Sequence, residues 1–156
     1  MSDRYIRKLG RIRDEYQAAA GALAYVSVYW YKQNIFNFSG LEASGIEEVK
    51  RAAANLETTF LIRLFSAFEG ILKEHLARNH PRVRVADDVS AARLIDRVSG
   101  LQRPRLTIQL RDRAHAVRRY RNYLVHQGSS MPAPIQFSEA LAQLTKFVHR
   151  LPDPPY

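Results

Sequence analysis

Residues 60–68 read FLIRLFSAF. Apolar side chains point in nearly every direction around a helix of this sequence, whereas a surface helix carries a single apolar stripe. The segment therefore predicts the middle of a long helix that is buried at the centre of the molecule. This helix is expected over residues 46–79. Ser44 and Glu47 have capping-box spacing at its start, and His80-Pro81 ends it, since proline disfavours helical geometry in the residue before it.

Helical periodicity continues on both sides of this segment, and no stretch alternates apolar and polar residues over the length of a strand. The first helix is predicted over residues 2–34, with an apolar face made by Ile6, Leu9, Ile12, Tyr16, Ala19, Leu23, Val26 and Trp30. Shorter helices are predicted over residues 90–98 (closed by Gly100), over 106–126, and from a Ser138 cap to 151. We therefore predict an all-α fold, an antiparallel helical bundle with two long and two or three shorter helices.

The chain of 156 residues is expected to form a single domain over residues 1–151, followed by a proline-rich tail at 152–156. It has no cysteine, which excludes a disulfide framework, a thiolate-ligated zinc site and a thiol nucleophile. The charged N-terminal stretch lacks the apolar core of a secretory signal, and the longest weakly polar run, residues 18–31, is too short to span a bilayer. We expect a soluble cytoplasmic protein that needs no cofactor and no metal.

The formal net charge is +9, and arginine supplies most of the positive charge. Arginine binds phosphate through a planar fork of donors, whereas lysine acts more as a point charge. A small basic domain of this kind favours a polyanionic partner, and nucleic acid is the usual one. The alternative interpretation is a basic surface that is exposed to solvent and binds no specific ligand.

The predicted helix over residues 106–126 carries two distinct faces. Its buried stripe is formed by Leu110, Ala114, Val117 and Leu124. Its polar stripe is formed by His115, Arg119, Asn122 and His126, at steps of four, three and four, with Arg111, Arg118 and Arg121 beside it. Interaction with the helix dipole would explain an arginine or a histidine at this end. It does not explain a carboxamide, nor a polar stripe that reaches several turns upstream, and a phosphate-binding site explains both.

The sequence Arg121-Asn122-x-x-x-His126 resembles the R-x4-6-H motif of the HEPN superfamily, in which a polar residue often follows the arginine. Residues 64–72, LFSAFEGIL, look like the aromatic-Glu segment that many prokaryotic HEPN domains carry on their buried long helix. The resemblance implies a helical bundle of about this size. Gly128 stands where nucleotidyltransferase-paired HEPN toxins carry a tyrosine, so that branch is not expected.

Resemblance to this family implies a metal-independent endoribonuclease, often a toxin or a phage-defence effector. RNA carries its own nucleophile, the 2′-hydroxyl, so the protein needs only to transfer protons and stabilise phosphate charge. His126 would act as general acid or base, Arg121 would face the scissile phosphate, and Asn122 would hold the imidazole or donate to a phosphate oxygen. Glu69 would orient Arg121 or His126, or would form a structural ion pair with an arginine.

The residues expected to contact RNA are Arg118, Arg119, His115 and Arg111. In the family two protomers face one cleft, so we expect a homodimer whose chains meet near the ends of the 106–126 helices, and an antitoxin or regulatory protein is a further expected partner. The aromatic residues Tyr25, Tyr29, Trp30, Tyr31, Phe36 and Phe38 are interpreted as core or dimer contacts rather than as a platform for stacking bases. Two alternatives stay open: a non-catalytic nucleic-acid-binding module, and a dimerisation or nucleotide-binding module that has lost nuclease activity.

Overall fold

The computed structural model describes residues 2–34, 42–83, 89–101, 106–127 and 130–152. These residues form α1 (Ser2–Asn34), α2 (Glu42–Asn79), α3 (Ala91–Leu101), α4 (Ile108–His126) and α5 (Phe137–His149), and they contain no strand. The predicted all-α bundle with two long and two or three shorter helices is thereby confirmed, and the shorter helices number three in the described residues. No helix in the described part of the chain is long and apolar enough to cross a membrane.

The centre of the bundle is α2, which contacts each of the other four helices. Phe65, Phe68 and Leu72 have no exposed surface, and Phe68 meets Phe147 of α5 edge to face with ring centroids 5.3 Å apart. Each large apolar side chain buried in this way stabilises the fold by about 1.5–3 kcal/mol. The central position predicted for residues 60–68 is confirmed, with Arg63 as an exposed exception that pairs with Glu15 of α1 at 2.6 Å.

Three predicted helix boundaries are wrong. Because α2 begins at Glu42, Ser44 lies inside the helix and not at its N-cap, and the predicted start at residue 46 is wrong. Gly100 lies inside α3, which ends at Leu101, and Ser138 lies in the first turn of α5, whose N-cap is Gln136. Helix termini are set partly by tertiary contacts, which local spacing does not report.

The start of α5 shows such a contact. Gln136 makes no side-chain capping hydrogen bond, and the backbone N–H of Phe137 instead donates to Oε1 of Glu57 in α2 at 2.8 Å. A carboxylate at a helix N-terminus also interacts favourably with the helix dipole. The start of α4 is capped locally, since Oγ1 of Thr107 accepts from the backbone N–H of Leu110 at 3.3 Å.

Only the first half of α1 packs on the core. Tyr5 and Leu9 are buried, and Tyr16 stacks against Phe137 of α5 with ring centroids 4.2 Å apart. Farther along, Val26 is 42% exposed, and the side chain of Trp30 lies outside the described residues. The apolar face predicted for the whole of α1 is therefore buried only over about half its length.

Glu74 of α2 joins the N-terminal part of α1 to the core through a cluster of cations. Its carboxylate lies 2.8 Å from Nζ of Lys8, 3.4 Å from Arg4 and 2.9 Å from Arg78. The hydrogen bond from Lys8 and the neighbouring positive charges hold the pKa of Glu74 below its usual value, although partial burial opposes them. One exposed pair contributes little, but a cluster around one carboxylate fixes the register of the two helices more firmly.

The imidazole of His75 is fully buried between helices. Burial, with a smaller contribution from the nearby His80, lowers the pKa of His75 to about 4. Its Nδ1 lies 3.0 Å from Nδ2 of Asn79, which is the geometry of a neutral ring that accepts a hydrogen bond from the amide. The protonated ring would therefore lose both a partner and its hydration.

This histidine predicts a loss of stability in mild acid. In the unfolded chain the pKa of a histidine is about 6.5, so the unfolded state binds more protons as the pH falls below that value. The free energy of unfolding therefore has its full value above about pH 6.5 and falls as the pH approaches 4, because the unfolded chain takes up a proton that the folded chain does not. Between pH 7 and pH 5 the free energy of unfolding should fall by about 2 kcal/mol through His75 alone. Urea unfolding of the wild type and of His75→Gln across this interval measures the difference, and equal pH slopes for the two proteins would contradict the assignment.

Candidate functional site

A surface pocket of about 440 Å³ lies at the C-terminal end of α4. Arg119, Asn122, Tyr123 and His126 line it from positions that are three, four and seven residues apart, which places them on one face of the helix. Arg118 borders the same pocket, and Ser130 and Pro132 of the following loop complete it. The structure therefore brings together three of the four residues in the predicted polar stripe.

His126 is the last residue of α4, and its side chain is exposed at the mouth of this pocket. The helix stops because Gln127 adopts a left-handed conformation, with φ 46° and ψ 50°. Its N–H donates to the carbonyl oxygen of Tyr123 at 2.8 Å, which satisfies one of the last helical carbonyls. Ser130 and Pro132 of the following segment lie beside the helix face that carries His126.

Arg121 does not line the pocket. Residues five apart on a helix are separated by about 140°, and the structure places the guanidinium of Arg121 over the ring of Phe65 in α2, 5.8 Å from its centroid. The expectation that its stem would reach toward His126 is not met in the single chain. Its Nη1 instead donates to Oδ1 of Asn122 at 3.1 Å. Because that bond uses the oxygen of the Asn122 amide, the Nδ2 group is the donor that Asn122 can offer to a ligand.

The positive charge around the pocket has no acidic partner among the described residues. Within the described ranges, no carboxylate lies within ion-pair distance of Arg118, Arg119 or Arg121. The Nε atoms of Arg118 and Arg121 are also inaccessible to solvent and have no hydrogen-bond partner among the described residues. Arg118 and Arg119, unlike Arg121, have no hydrogen-bond acceptor among the described residues. Their guanidinium groups are therefore suited to bind an anion, because a charged acceptor forms the stronger class of hydrogen bond.

The structure places the two upstream residues of the predicted RNA-binding set away from the pocket. His115 is only 14% exposed, and its Nε2 lies 2.9 Å from Oδ1 of Asp96 in α3. It joins α3 to α4 and does not line the pocket, and its predicted contact with RNA stays a prediction. Arg111 lies next to Asp112, with the nitrogen and oxygen 3.4 Å apart, and is eleven residues, or roughly 16 Å, along the helix from Asn122.

Glu69 lies half-buried on α2, one turn beyond Phe65. The structure gives it no ion pair or hydrogen bond with any residue in the described ranges. Among the described residues, Glu69 has no ion pair with an arginine and no contact with Arg121 or His126, and its predicted role stays a prediction. No three histidine, aspartate or glutamate side chains cluster as metal ligands in the part of the chain that the structure describes.

Three residues of the pocket were not predicted from the sequence. Tyr123 was detectable, because it lies three residues before His126 and four after Arg119 on the same helix face. Ser130 and Pro132 were not, since their position depends on the path of the chain after Gln127. Serine and proline in a loop carry no periodic signal that would place them against a helix.

Comparison with known proteins identifies no relative: no family model, no curated protein and no solved structure matches this chain. The resemblance to the HEPN superfamily therefore stays a prediction from the short motifs.

The left-handed backbone conformation of Gln127, which ends α4 at the pocket, can be tested by substitution. A residue with a Cβ is strained in this conformation by about 1 kcal/mol, and glycine is not. Gln127→Gly should therefore raise the free energy of unfolding by about 0.5–1 kcal/mol. Arg113→Gly, at an exposed position in the interior of α4, should lower it by about 1 kcal/mol, because glycine disfavours helix interiors. Chemical denaturation of the two variants measures both changes, and a destabilised Gln127→Gly protein would show that the turn is not left-handed in solution.

Proposed function

We propose that this protein is a metal-independent endoribonuclease of the HEPN type, and that it cuts single-stranded RNA in the pocket at the end of α4. One observation supports the proposal above the others. An exposed imidazole, His126, shares a pocket with two guanidinium groups, those of Arg118 and Arg119, that no acid among the described residues neutralises. The pocket thus combines a group that transfers protons near neutral pH with groups that bind phosphate.

The proposed reaction is a transesterification within the RNA. The 2′-hydroxyl oxygen attacks the adjacent phosphorus, its proton leaves, and the bond to the 5′-oxygen of the next nucleotide breaks. That oxygen takes up a proton, so the products are a 2′,3′-cyclic phosphate and a 5′-hydroxyl. His126 transfers one of these protons, a role typically worth about 10²–10⁴-fold in rate. Arg118 and Arg119 stabilise the charge that builds on the phosphate oxygens.

Arg121 and Asn122 are assigned a joint role. The hydrogen bond from Arg121 to Oδ1 of Asn122 orients the amide, so that Nδ2 can donate to a phosphate oxygen or to the imidazole. The contact of Arg121 with Phe65 fixes this pair to the core. Each chain has one His126, whereas the reaction needs both an acid and a base. We therefore include a homodimer in which Arg121 and His126 of two protomers form a composite site.

The pocket also suggests why the substrate would be single-stranded. Tyr123 and Pro132 give it an apolar wall, and an unpaired base can stack on an aromatic ring, an interaction worth about 1–3 kcal/mol. Bases inside an RNA duplex are stacked on each other and cannot enter such a pocket. In this proposal the nuclease is a toxin or a phage-defence effector in the cytoplasm. An antitoxin or regulatory protein controls its activity.

A non-catalytic nucleic-acid-binding module is the second candidate. The position of Arg121 favours this candidate. In the R-x4-6-H motif the arginine is expected to contact the phosphate, but here the Arg121 guanidinium lies over the ring of Phe65. In that case the same arginines would bind RNA without cleaving it, and His126 would have no special role.

Replacing His126 separates the two candidates. His126→Ala should reduce cleavage of a single-stranded RNA by about 100-fold or more, while its binding of RNA and its free energy of unfolding stay close to those of the wild type, because the side chain is exposed. Gel analysis in the presence of EDTA, with mapping of the product ends, measures cleavage and detects the cyclic phosphate.

His149→Ala is the matched control, since His149 is also an exposed histidine in the last turn of a helix, α5. It should cleave at the wild-type rate. Undiminished cleavage by a folded His126→Ala protein would exclude the proposed mechanism, and RNA binding with no cleavage by the wild type would favour the non-catalytic module.

A further inference from the structure

A second cleft, of about 320 Å³, lies between α2 and the C-terminal half of α4, with residues 134–136 along one side. Leu61 of α2 and Leu124 of α4 give it apolar walls. The described residues that line it are all different from those that line the pocket of His126. None of them has been assigned a part in binding or cutting RNA, so the cleft needs an explanation of its own.

The charge of this cleft is opposite to that of the rest of the protein. Glu57 is the only charged residue among the described residues that line it. The pocket of His126 is lined by Arg118 and Arg119 instead, and the chain as a whole carries a net charge of +9. The cleft is therefore a local negative site on a positive protein, and it repels an RNA phosphate.

The carboxylate of Glu57 has no full counter-charge within the protein. No lysine, arginine or histidine in the described part of the chain lies within ion-pair distance of it. Its Oε1 accepts the backbone N–H of Phe137 at the start of α5. The N-terminus of a helix carries only about half a positive charge, and a carboxylate has about four acceptor positions. Glu57 thus keeps both negative charge and acceptor capacity for a ligand.

The effect of this charge is visible at a neighbouring side chain. Burial, and after it the negative charge of Glu57, raises the pKa of the Tyr16 hydroxyl. A carboxylate that a bound cation already neutralised would have little such effect on its surroundings.

Three neutral polar side chains accompany Glu57 in the lining of the cleft, those of Thr58, Tyr120 and Gln136. None of the three makes a side-chain hydrogen bond with another described residue. Ligand pockets in proteins have volumes of about 300–1,000 Å³ and combine apolar or aromatic walls with a few polar groups that orient the ligand. The cleft has this composition, and its volume is near the lower end of the range, which favours a small ligand.

We propose that this cleft is a binding site for a small organic cation, a primary amine that carries a short aromatic body. The ammonium group pairs with Glu57 in a charge-assisted hydrogen bond, and the body packs against Leu124 and the ring of Tyr120. A metal ion is not the ligand that the cleft favours, because no three acidic or histidine side chains cluster in the described residues. The inference does not rest on the proposed ribonuclease activity, since it uses other residues.

Titration of the ¹⁵N-labelled full chain with 2-phenylethylamine, followed by NMR, tests the proposal. The backbone amide signals of Thr58, Leu61 and Leu124 should shift until they reach saturation. 2-Phenylethanol has the same aromatic body without the charge, and methylammonium has the charge without the body. Both should bind at least about 10-fold more weakly, because a hydrogen bond to a charged group is lost in the first case and the apolar contact in the second.

A pair of variants separates Glu57 from the general charge of the protein. Glu57→Gln keeps an oxygen that can accept the N–H of Phe137, so the variant should stay folded by circular dichroism. It should bind 2-phenylethylamine about 10-fold more weakly or worse. Glu48→Gln is the matched control, since Glu48 is an exposed glutamate of α2 that does not line the cleft, and it should bind as the wild type does.

The comparison of the amine with the alcohol uses the wild type alone, so it does not depend on how well a variant folds. Equal affinity for the two compounds would overturn the proposal, and so would the absence of saturable shifts at the three amides. Undiminished binding by a folded Glu57→Gln protein, or an equal loss in Glu48→Gln, would also overturn it.

Discussion

The burial of α2 over residues 60–76 is the constraint on which the rest of the structure depends. Phe60 and Leu76 are both buried, and their side chains leave the helix in directions about 160° apart, which is a wider face than one neighbouring helix covers. Four helices surround α2 for this reason. Each of these four helices packs its apolar side against α2, so its polar side faces solvent.

The candidate site follows from that arrangement. Val117 and Ala114 hold α4 on the core, so Arg119, Asn122 and His126 must point outward. Arg121 lies between the core-facing side and the solvent-facing side of α4. Its stem runs along the core, its guanidinium rests over Phe65, and its hydrogen bond reaches Asn122 on the outer face. One helix thus supplies both the packing that fixes the site and the polar groups that form it. The left-handed Gln127 then ends the helix directly after His126, which leaves the imidazole exposed.

The periodicity of the sequence was sufficient for the fold, because burial on one face of a helix repeats with the helical turn. It identified the central helix, the full extent of α1 and the stripe that Ala114 and Val117 bury. It failed at Ser44, Gly100 and Ser138, whose local spacing is typical of helix ends, because contacts such as that of Glu57 with Phe137 decide where a helix starts. It also gives no sign of the contact between His115 and Asp96, which lies nineteen residues away in the sequence. The loop residues of the pocket could not be predicted at all, since they depend on the path of the chain in space.

We propose that the end of α4 binds RNA phosphate and that His126 lies at the centre of this site. NMR spectra of the histidine side-chain nitrogens, recorded while a single-stranded 2′-fluoro RNA is added, test this claim most directly, because such an RNA lacks the 2′-hydroxyl and cannot be cleaved through it. We expect the ring resonances of His126 to shift in proportion to the RNA bound, while those of His149 and of buried His75 stay in place. Saturation of the protein with RNA while the His126 resonances do not move would contradict the account.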